Sequence, residues 1–452
     1  MFGRVKKQNT PDINASIDLG WVDEFIEKVK PWIFVREEDR LLIKRPNSAQ
    51  KLNLMGVRVL KSLLGGMSIR ELLQKVGQDK KADLANFFYA VKAHLEGTLD
   101  PNQFHPAVER IPFKMEFSEL PVLSEIALTY QCNLACNFCY AGCNCTKQVN
   151  STGEMNKEQI MEILRRIFEQ AKVPSVSFTG GEPTLVKELP ELICYAKKLG
   201  FRVNLISNGT QIDEEKARCL ADSGLDSAQI SIEAVTEALH EKIVQRKGVF
   251  KKSVNSVKLL RENGIHTHTN TTLSQMNRED ALNLPSFVKD ELGSDKFSMN
   301  LMIPCGSAAV NDELVIPYSG AGEIVKNILD RSKKEKVEFM WYSPVPMCFF
   351  NTVSHGLGNK GCSACDGLLS ISPKGEVLPC SSYGEPVGNL LEQDFDTIWQ
   401  SDRARLFRKK ELAPGVCRSC SNFSICNGCC PLYWQHVGEE ELTQRGGVSE
   451  HC

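Results

Sequence analysis

The stretch Ile126-Ala-Leu-Thr-Tyr-Gln-Cys132-Asn-Leu-Ala-Cys136-Asn-Phe-Cys139-Tyr140 decides how the rest of the chain is interpreted. An apolar run typical of a buried strand leads into three cysteines separated by three and two residues. Three thiols on such a loop can hold three irons of a cubane cluster and leave the fourth open to bind and reduce a small molecule. Zinc is the alternative, with Cys143 or Cys145 as its fourth ligand.

Composition and charge narrow the class of protein. A chain of 452 residues suits roughly two to four domains, and a net charge of -2 gives no reason to expect a nucleic acid or an anionic membrane as partner. The sequence shows neither the apolar segment of a signal peptide nor the roughly 18 apolar residues of a membrane span. We therefore predict a cytoplasmic protein without nucleic-acid or membrane partners. Its 18 cysteines cluster at 132–145, 362–380 and 417–452, which indicates metal sites.

Residues 1–97 predict a small winged-helix-like α+β domain. An amphipathic stretch from Trp21 to Val29 precedes two strands joined by the charged turn Arg36–Arg40, then a short strand and three helices, the second of them capped by Ser68. Winged helices most often read DNA, but these helices mix acidic with basic residues, so DNA binding is the minority alternative. The predicted strands are Pro31–Val35, Leu41–Lys44 and Lys51–Leu54, and the predicted helices are Val57–Leu64, Ile69–Lys75 and Asp83–Leu95.

Four prolines mark residues 98–121 as a linker: Pro101, Pro106, Pro112 and Pro121. Strands and helices then alternate, which predicts an α/β fold, a partial (β/α)6 barrel of parallel strands over residues 122–340. The strands are Glu125–Thr129, Ser175–Phe178, Arg202–Ile206, Ser227–Ile232, His266–Thr271 and Phe297–Met302. The helices include Lys157–Gln170, Leu189–Leu199, Asp213–Ser223 and Phe250–Glu262.

Polar residues follow the ends of these strands, where parallel barrels carry their functional groups. After the second strand, Gly180 and Gly181 let the backbone come close to a ligand while Glu182 offers an acceptor. An ordinary strand-to-helix turn with Pro183 at the helix start is the alternative. The polar residues at the other strand ends are individually weak candidates: Ser207, Asn208, Ser231, Glu233 and Asn270.

A second cysteine-rich region, residues 341–452, completes the chain. Its order is Cys362-x2-Cys365, Gly375-x4-Cys380, then Cys417-x2-Cys420-x5-Cys426-x3-Cys430 and a final Cys452. A zinc ribbon of Cys417, Cys420, Cys426 and Cys429 is the alternative. That alternative leaves four of the cysteines without a role. Cys194 and Cys219 lie in helical patterns and are predicted to be small core residues.

The first motif, with an aromatic residue before its last cysteine and Tyr140 after it, resembles the radical S-adenosylmethionine (radical SAM) superfamily. The resemblance implies that the open iron chelates S-adenosylmethionine and that a cluster electron cleaves it to a 5′-deoxyadenosyl radical. It further implies that the Gly180-Gly181-Glu182 element receives the methionine amino group. The other strand-end polar residues would hold the methionine or the ribose, although many relatives have Asp where Glu233 stands. An electron donor such as flavodoxin or ferredoxin is expected.

The second cysteine-rich region resembles the SPASM domain of peptide-modifying radical SAM enzymes. The resemblance implies one auxiliary [4Fe-4S] cluster on Cys362, Cys365, Cys380 and Cys430. It implies a second on Cys417, Cys420, Cys426 and Cys452, and thus three [4Fe-4S] clusters in the chain. Two substitutions stay open, Cys429 for Cys430 and Cys348 for Cys362 or Cys365. Because the ligands interleave, loss of the clusters is expected to unfold this domain.

The N-terminal order of elements resembles the small peptide-binding protein of pyrroloquinoline quinone biosynthesis (PqqD-like). The resemblance implies that the leader of a precursor peptide adds a strand beside Lys51–Leu54. The predicted function is radical modification of a ribosomally made peptide, giving a thioether or a carbon–carbon crosslink. Tyr140, Glu233 and His355 have simpler structural explanations, so no catalytic base is assigned.

Two other functions stay open. The first is an enzyme that matures a protein or a cofactor, of the sulfatase-maturase or quinone-cofactor type. In sulfatase maturases an acidic residue follows the Gly-x4-Cys cysteine, and Ser381 stands there in this chain. The second is a non-enzymatic iron–sulfur regulator that binds DNA through the winged helix.

Overall fold

The computed structural model describes residues 17–46, 48–98, 117–142 and 153–443. The chain divides into two compact units, Met1–Pro112 and Phe113–Cys452. Most of the predicted linker and the three cysteines Cys143, Cys145 and Cys452 lie outside the described residues. None of the helices in the described ranges is long and apolar enough to cross a membrane.

The N-terminal unit combines a three-stranded antiparallel sheet with four helices. The strand order is β1-β2-β3, and the central strand is buried at Leu41, Leu42 and Ile43. The strands are β1 (Ile33–Arg36), β2 (Leu41–Lys44) and β3 (Ser48–Lys51). The helices are α1 (Trp21–Val29), α2 (Leu54–Leu64), α3 (Ile69–Val76) and α4 (Lys81–Glu96). The predicted strands, helices and their order are confirmed, with one exception in position.

The third strand was predicted at Lys51–Leu54, and this position is wrong. The strand ends at Lys51 because Asn53 caps helix α2, its side-chain oxygen accepting the Gly56 N–H at 2.7 Å. A residue that caps a helix N-terminus has left the strand ladder. The exposed edge of this sheet is therefore Ser48–Lys51, three residues earlier than the sequence suggests.

Two local polar interactions stabilise the start of helix α3 and the turn between β1 and β2. Ser68 forms the predicted cap of α3, as a capping box with Glu71. The β1–β2 turn, which looks solvent-exposed from its charges, holds a buried ion pair instead. Arg36 donates to both carboxylate oxygens of Asp39 at 2.9 and 2.8 Å, and both side chains are fully buried.

The C-terminal unit is built on one ten-stranded sheet of order β10-β9-β8-β7-β6-β5-β4-β11-β12-β13. All six predicted strands are present, parallel and in sequence order. The strands are β4 (Leu123–Thr129), β5 (Ser175–Gly180), β6 (Arg202–Ser207), β7 (Ser227–Ser231), β8 (His266–Leu273), β9 (Lys296–Leu301), β10 (Glu338–Trp341), β11 (Leu368–Ile371), β12 (Glu376–Leu378) and β13 (Gly388–Asn389).

At least one helix follows each of the six strands β4 to β9, as the alternation predicts, and two helices follow β7. These helices are α5 (Lys157–Glu169), α6 (Leu189–Leu199), α7 (Glu214–Asp222), α8 (Glu237–Val244), α9 (Phe250–Glu262), α10 (Leu284–Asp290) and α11 (Tyr318–Glu335). Short helices complete the chain: α12 (Phe395–Trp399), α13 (Asp402–Arg408), α14 (Gly415–Arg418), α15 (Phe423–Cys426), α16 (Pro431–Val437) and α17 (Glu440–Thr443).

The sheet continues past the boundary predicted at residue 340. Strand β10 pairs with β9 in parallel, and β11, from the second cysteine-rich region, pairs in parallel with β4. Strands β12 and β13 then extend the sheet antiparallel. The strand that leads into the first cysteine motif is therefore flanked by β5 on one side and by the cysteine-rich region on the other.

Cys194 and Cys219 are exposed, so the prediction that they are core residues is wrong. They line the same surface cleft, formed by α6 and α7. The core-facing stripe of α6 is Leu189, Leu192, Ile193 and Ala196. Cys194 comes directly after Ile193 and lies outside this stripe, so its side chain faces solvent.

Candidate functional site

The two glycines at the end of β5 bring the chain against the cysteine loop. A Cβ on Gly180 would lie 2.2 Å from the Thr129 carbonyl oxygen, and one on Gly181 would lie 2.2 Å from that of Gln131. The Gly181 N–H donates to Thr129 O at 2.7 Å, and the Glu182 N–H donates to Gln131 O at 2.8 Å. The sequence predicts an approach to a ligand here. In the structure the close approach is to the backbone that carries the first motif.

Glu182 is fully buried and joins the end of β5 to the end of β6. Its carboxylate accepts from the Thr184 N–H at 3.0 Å and hydroxyl at 2.5 Å, from the Ser207 hydroxyl at 2.8 Å and from the Asn208 N–H at 2.8 Å. Burial raises the pKa of this carboxyl, while the hydrogen bonds oppose the rise. A carboxylate with four donors is held in one orientation next to the predicted cofactor site.

Asn208 connects this arrangement to the first motif. Its side-chain N–H donates to Asn133 Oδ1 at 2.9 Å and lies 3.9 Å from Cys132 Sγ. Its Oδ1 accepts from the Thr210 N–H and hydroxyl, and Asn133 donates back to Thr210 at 2.7 Å. The residue following Cys132 is thus fixed to the loop after β6, so three strand ends share one polar network.

The three thiols of the first motif lie near one another in a half-buried loop. Each of Cys132, Cys136 and Cys139 interacts with the charge of the others. Burial raises the pKa of Cys132 to about 11 and that of Cys136 well above the usual thiol value. Iron ligation requires thiolates, so bound iron would have to supply the compensating positive charge. The chemistry of the donor set therefore fits a cationic cluster.

Helix α8 supports the outer side of this loop. The Ala135 N–H donates to Val244 O at 3.1 Å, and the Asn137 N–H donates to Ile243 O at 3.1 Å. Leu134 packs with Val244 and Val249, and the Cys132 and Cys136 side chains pack against this small cluster. Backbone hydrogen bonds and apolar packing therefore hold this side of the loop.

Three further predicted cofactor residues lie at or beyond the ends of β7 and β8. Glu233 is buried, and this burial raises its pKa to about 8. Its carboxylate accepts the Thr272 N–H at 2.8 Å, and its charge raises the pKa of Cys136. Asn270 is buried and accepts the Ser298 hydroxyl at 2.8 Å. Ser231 is partly buried at the end of β7.

The second cysteine-rich region forms two groups of thiols in the structure. We call Cys362, Cys365, Cys380 and Cys430 the first thiol set, since the charges of Cys362 and Cys430 reach Cys380 and that of Cys362 reaches Cys365. We call Cys417, Cys420 and Cys426 the second thiol set, since the charges of the last two reach Cys417. The two sets follow the grouping that the SPASM resemblance implies, and Cys452 lies outside the described residues. The charges of Cys362 and Cys430 also reach Cys429, so the choice between Cys429 and Cys430 stays open.

Cys348 and Cys429 occupy definite places beside these sets. Cys348 is near the second set, because its charge reaches Cys417 and the Met347 N–H lies 3.4 Å from Cys426 Sγ. The sequence suggested it as a substitute in the first set. Cys429 is buried, hydrogen-bonds Cys426 and lowers the pKa of that thiol to about 6.

Single-ion coordination does not describe these sites. In the described part of the chain, no group of three or more His, Cys, Asp or Glu side chains is arranged to hold a metal ion. The ligands of a cubane surround four irons and four sulfides, so they stand farther apart than the ligands of one ion.

Two groups near the first motif were not predicted as site residues. Glu125 on β4 accepts the Ser370 hydroxyl at 2.6 Å, and Cys305 is buried within charge range of Cys139. The signal for Glu125 was available, because it is the one charged residue of strand β4. Cys305 has no neighbouring motif in the sequence, so nothing local could have identified it.

Two protein-family models match the regions just described. The model of the radical SAM superfamily matches residues 126–287. The model of an iron-sulfur cluster-binding domain, SPASM, matches residues 362–421. The chain contains a radical SAM domain and a SPASM domain. These two domains indicate S-adenosylmethionine and iron–sulfur clusters as cofactors.

Relatives of this radical SAM/SPASM chain carry out more than one reaction. It is 28% identical over 70% of its length to the AdoMet-dependent heme synthase of Oleidesulfovibrio alaskensis, covering 85% of that protein. It is 27% identical over 66% of its length to the PqqA peptide cyclase of Gluconobacter oxydans, covering 83% of it. It also resembles the crystal structure of Streptococcus suis SuiB bound to precursor peptide SuiA. That match has a TM-score of 0.63 and 17% identity, and it covers 89% of this chain and 95% of the other.

Proposed function

We propose that this chain is a maturase that modifies a ribosomally synthesised precursor peptide by radical chemistry. The observation that carries the proposal is the extent of the structural likeness to SuiB. Residues 113–452 form about three quarters of the chain, so a match covering 89% of it extends into the N-terminal unit. The sequence likenesses to the heme synthase and to the peptide cyclase cover 70% and 66% of the chain. The N-terminal unit, with its edge strand β3, is where a leader peptide would bind.

The cofactor assignments belong to the same proposal. Cys132, Cys136 and Cys139 hold the cluster that binds S-adenosylmethionine, and Glu182 with Ser207 and Asn208 positions the polar groups around it. When bound, the cluster and S-adenosylmethionine supply a 5′-deoxyadenosyl radical that removes hydrogen from the substrate. The other cofactor residues are Gly180, Gly181, Ser231, Glu233 and Asn270. Each thiol set holds one auxiliary [4Fe-4S] cluster, which makes three in all, and a flavodoxin or ferredoxin supplies electrons.

The peptide leader binds along β3 in this proposal. Strand β3 pairs only with β2 within the described residues. The Leu52 N–H donates to Arg40 O across the ladder, so the backbone groups of Ala49, in the alternate position, point away from β2. Two exposed apolar side chains, Leu54 and Met55, follow directly at the start of α2. A peptide strand can pair with this edge and place apolar side chains against them.

The test uses the anaerobically reconstituted full chain with S-adenosylmethionine, dithionite and a synthetic precursor peptide, taken from the short reading frame that we predict beside this gene. We expect 5′-deoxyadenosine and a peptide lighter by the mass of two hydrogens. Ala49→Pro removes an outward N–H without removing a β2–β3 hydrogen bond, so it should weaken peptide binding at least about tenfold. Ala49→Val, which keeps the N–H, is the control. Absence of any peptide product would contradict the proposal.

A second candidate, maturation of a cofactor of the haem-synthase type, is favoured by the 28% identity to the heme synthase. The same assay separates the two. Turnover of an iron porphyrin without any effect of Ala49→Pro would support the cofactor function. Turnover of the peptide, sensitive to this variant, supports the maturase.

A further inference from the structure

Glu125 is an acidic residue that has no role in the predicted cofactor sites. It lies on β4 between Ser124 and Ile126, both buried in the core. Because side chains alternate along a strand, Glu125 faces the opposite side of the sheet from these two. Its carboxylate accepts from the Ser370 hydroxyl at 2.6 Å and from both the backbone N–H and the hydroxyl of Ser381. Its hydrogen-bond donors therefore lie on β11 and on the segment that follows β12, both in the SPASM region.

The position of this carboxylate is between the radical-generating loop and the first thiol set. The titratable groups that face it are Tyr140, next to Cys139, and Cys380, next to Ser381. The charge of Glu125 raises the pKa of both. Ser382 follows in the same segment. Its N–H forms a hydrogen bond with the Cys380 thiol, and its hydroxyl forms one with Cys305. One short stretch of chain thus connects the carboxylate to a ligand of the proposed auxiliary cluster.

The chemistry proposed for this enzyme releases a proton at this stage. The 5′-deoxyadenosyl radical takes one hydrogen atom from a substrate carbon. When that carbon radical joins a peptide thiol, the C–S bond forms, the S–H bond breaks, and one electron and one proton leave. An oxidised [4Fe-4S] cluster held by the first thiol set would supply the acceptor for this electron. A carbon–carbon crosslink has the same balance, with a C–H bond broken in place of S–H.

We propose that Glu125 accepts the proton that the substrate loses as the new bond forms. The inference rests on the proposed function and names the base that it requires. Among the acids near the first motif, Glu182 has four internal donors and Glu233 is 4% exposed, whereas Glu125, with three internal donors, keeps more exposed surface than either. Burial raises the pKa of Glu125, which makes its carboxylate a stronger base.

The first experiment needs no peptide. A negative charge added to the cluster beside Cys380 favours protonation of Glu125, so reduction of that cluster should be accompanied by proton uptake. Redox titrations of the reconstituted full chain, followed by electron paramagnetic resonance at several pH values, measure this coupling. In the wild type we expect the potential of the first-set cluster to fall by about 59 mV per pH unit where Glu125 titrates. In Glu125→Gln this slope should disappear while the iron content and the second-set signal stay unchanged.

The matched control is Glu376→Gln on β12. Glu376 also accepts a serine hydroxyl, that of Ser372, at 2.8 Å. It should keep the wild-type slope. A wild type without a pH slope, or a Glu125→Gln variant that retains it, would overturn the inference.

The second experiment adds the peptide of the preceding section. Glu125→Gln should still form 5′-deoxyadenosine, but crosslinked peptide per 5′-deoxyadenosine should fall by roughly 100-fold, and Glu125→Asp should recover part of it. Full product formation by Glu125→Gln refutes the proton-acceptor role. If the wild type gives no peptide product, the maturase proposal fails, and the redox titration alone decides the role of Glu125.

Discussion

The Ser207 hydroxyl donates a 2.8 Å hydrogen bond to the buried carboxylate of Glu182, which joins the ends of two neighbouring parallel strands. All four groups around this carboxylate are donors. Glu182→Gln would place an amide N–H against one of them and lose at least one hydrogen bond. We expect a loss of about 1–3 kcal/mol of stability, measured by thermal unfolding under anaerobic conditions. Glu191→Gln, which removes an exposed ion pair with Lys157, is the control and should change little.

Gly181→Ala tests whether the glycine pair serves the cysteine loop. The new Cβ would lie 2.2 Å from the Gln131 carbonyl oxygen, so the loop must move. We expect a loss of about 1–3 kcal/mol or more and reduced iron at the first motif, measured by iron analysis and by the S-adenosylmethionine-dependent change in the paramagnetic spectrum. Gly320→Ala, on α11 with open space around its Cβ, should leave both unchanged. Normal iron content in Gly181→Ala would contradict this assignment.

Variants of the thiol sets should remove iron selectively. Cys380→Ser is expected to lower the iron content by up to about four irons per chain and to remove the signal of the first set only. Cys417→Ser should do the same for the second set. Cys348→Ser should perturb the second-set signal, because Cys348 lies near Cys417 and Cys426. A changed first-set signal in that variant would instead favour the exchange with Cys362 or Cys365.

The buried pair Arg36–Asp39 makes the N-terminal unit sensitive to a single charge. Asp39→Asn leaves the Arg36 guanidinium buried without its anion, so we expect a loss of about 3–5 kcal/mol. The exposed pair Lys61–Glu37 provides the control, since Glu37→Gln should cost less than about 1 kcal/mol. Thermal unfolding and leader binding are measured together. Equal stabilities of the two variants would show that the turn is not held by this pair.

His268 on β8 should make the chain acid-sensitive. Burial lowers its pKa to about 4, so the unfolded chain binds a proton more readily between this value and the usual histidine pKa. Stability is therefore fully present above pH of about 6.5 and is lost as the pH falls toward 4, by up to about 3 kcal/mol. His268→Gln should flatten this part of the profile. His266→Gln, exposed on the same strand, should not.

The sequence was sufficient for elements whose pattern is local. Strands β4 to β9 follow from apolar alternation and the helices between them from a 3.6-residue period. Sequence analysis failed where a distant contact or a helix cap determines where an element lies. Asn53 ends β3 by capping α2, and the four-residue strands β10 and β11 are recognisable only beside β9 and β4.

The site shows the same division. The resemblance to the SPASM domain, carried by the cysteine spacing, implied which thiols belong together, and their role as cluster ligands stays a prediction. Glu125 could not be assigned a function in this way, since its partner Ser370 is 245 residues away. The reason for two glycines at Gly180 and Gly181 was likewise visible only once the backbone of Gln131 lay against them.

The parallel pairing of β11 with β4 has a consequence for synthesis on the ribosome. Leu123 pairs with Leu368. Before this pairing forms, the free edge of the strand can pair with strands of other chains and cause aggregation. At translation rates of about 5–20 residues per second, the 245 residues between Glu125 and Ser370 take roughly 10–50 s to make. During that interval one edge of β4 stays open. Expression at lower temperature, or with chaperones present, should therefore raise the yield of the full chain more than that of a chain ending before β4.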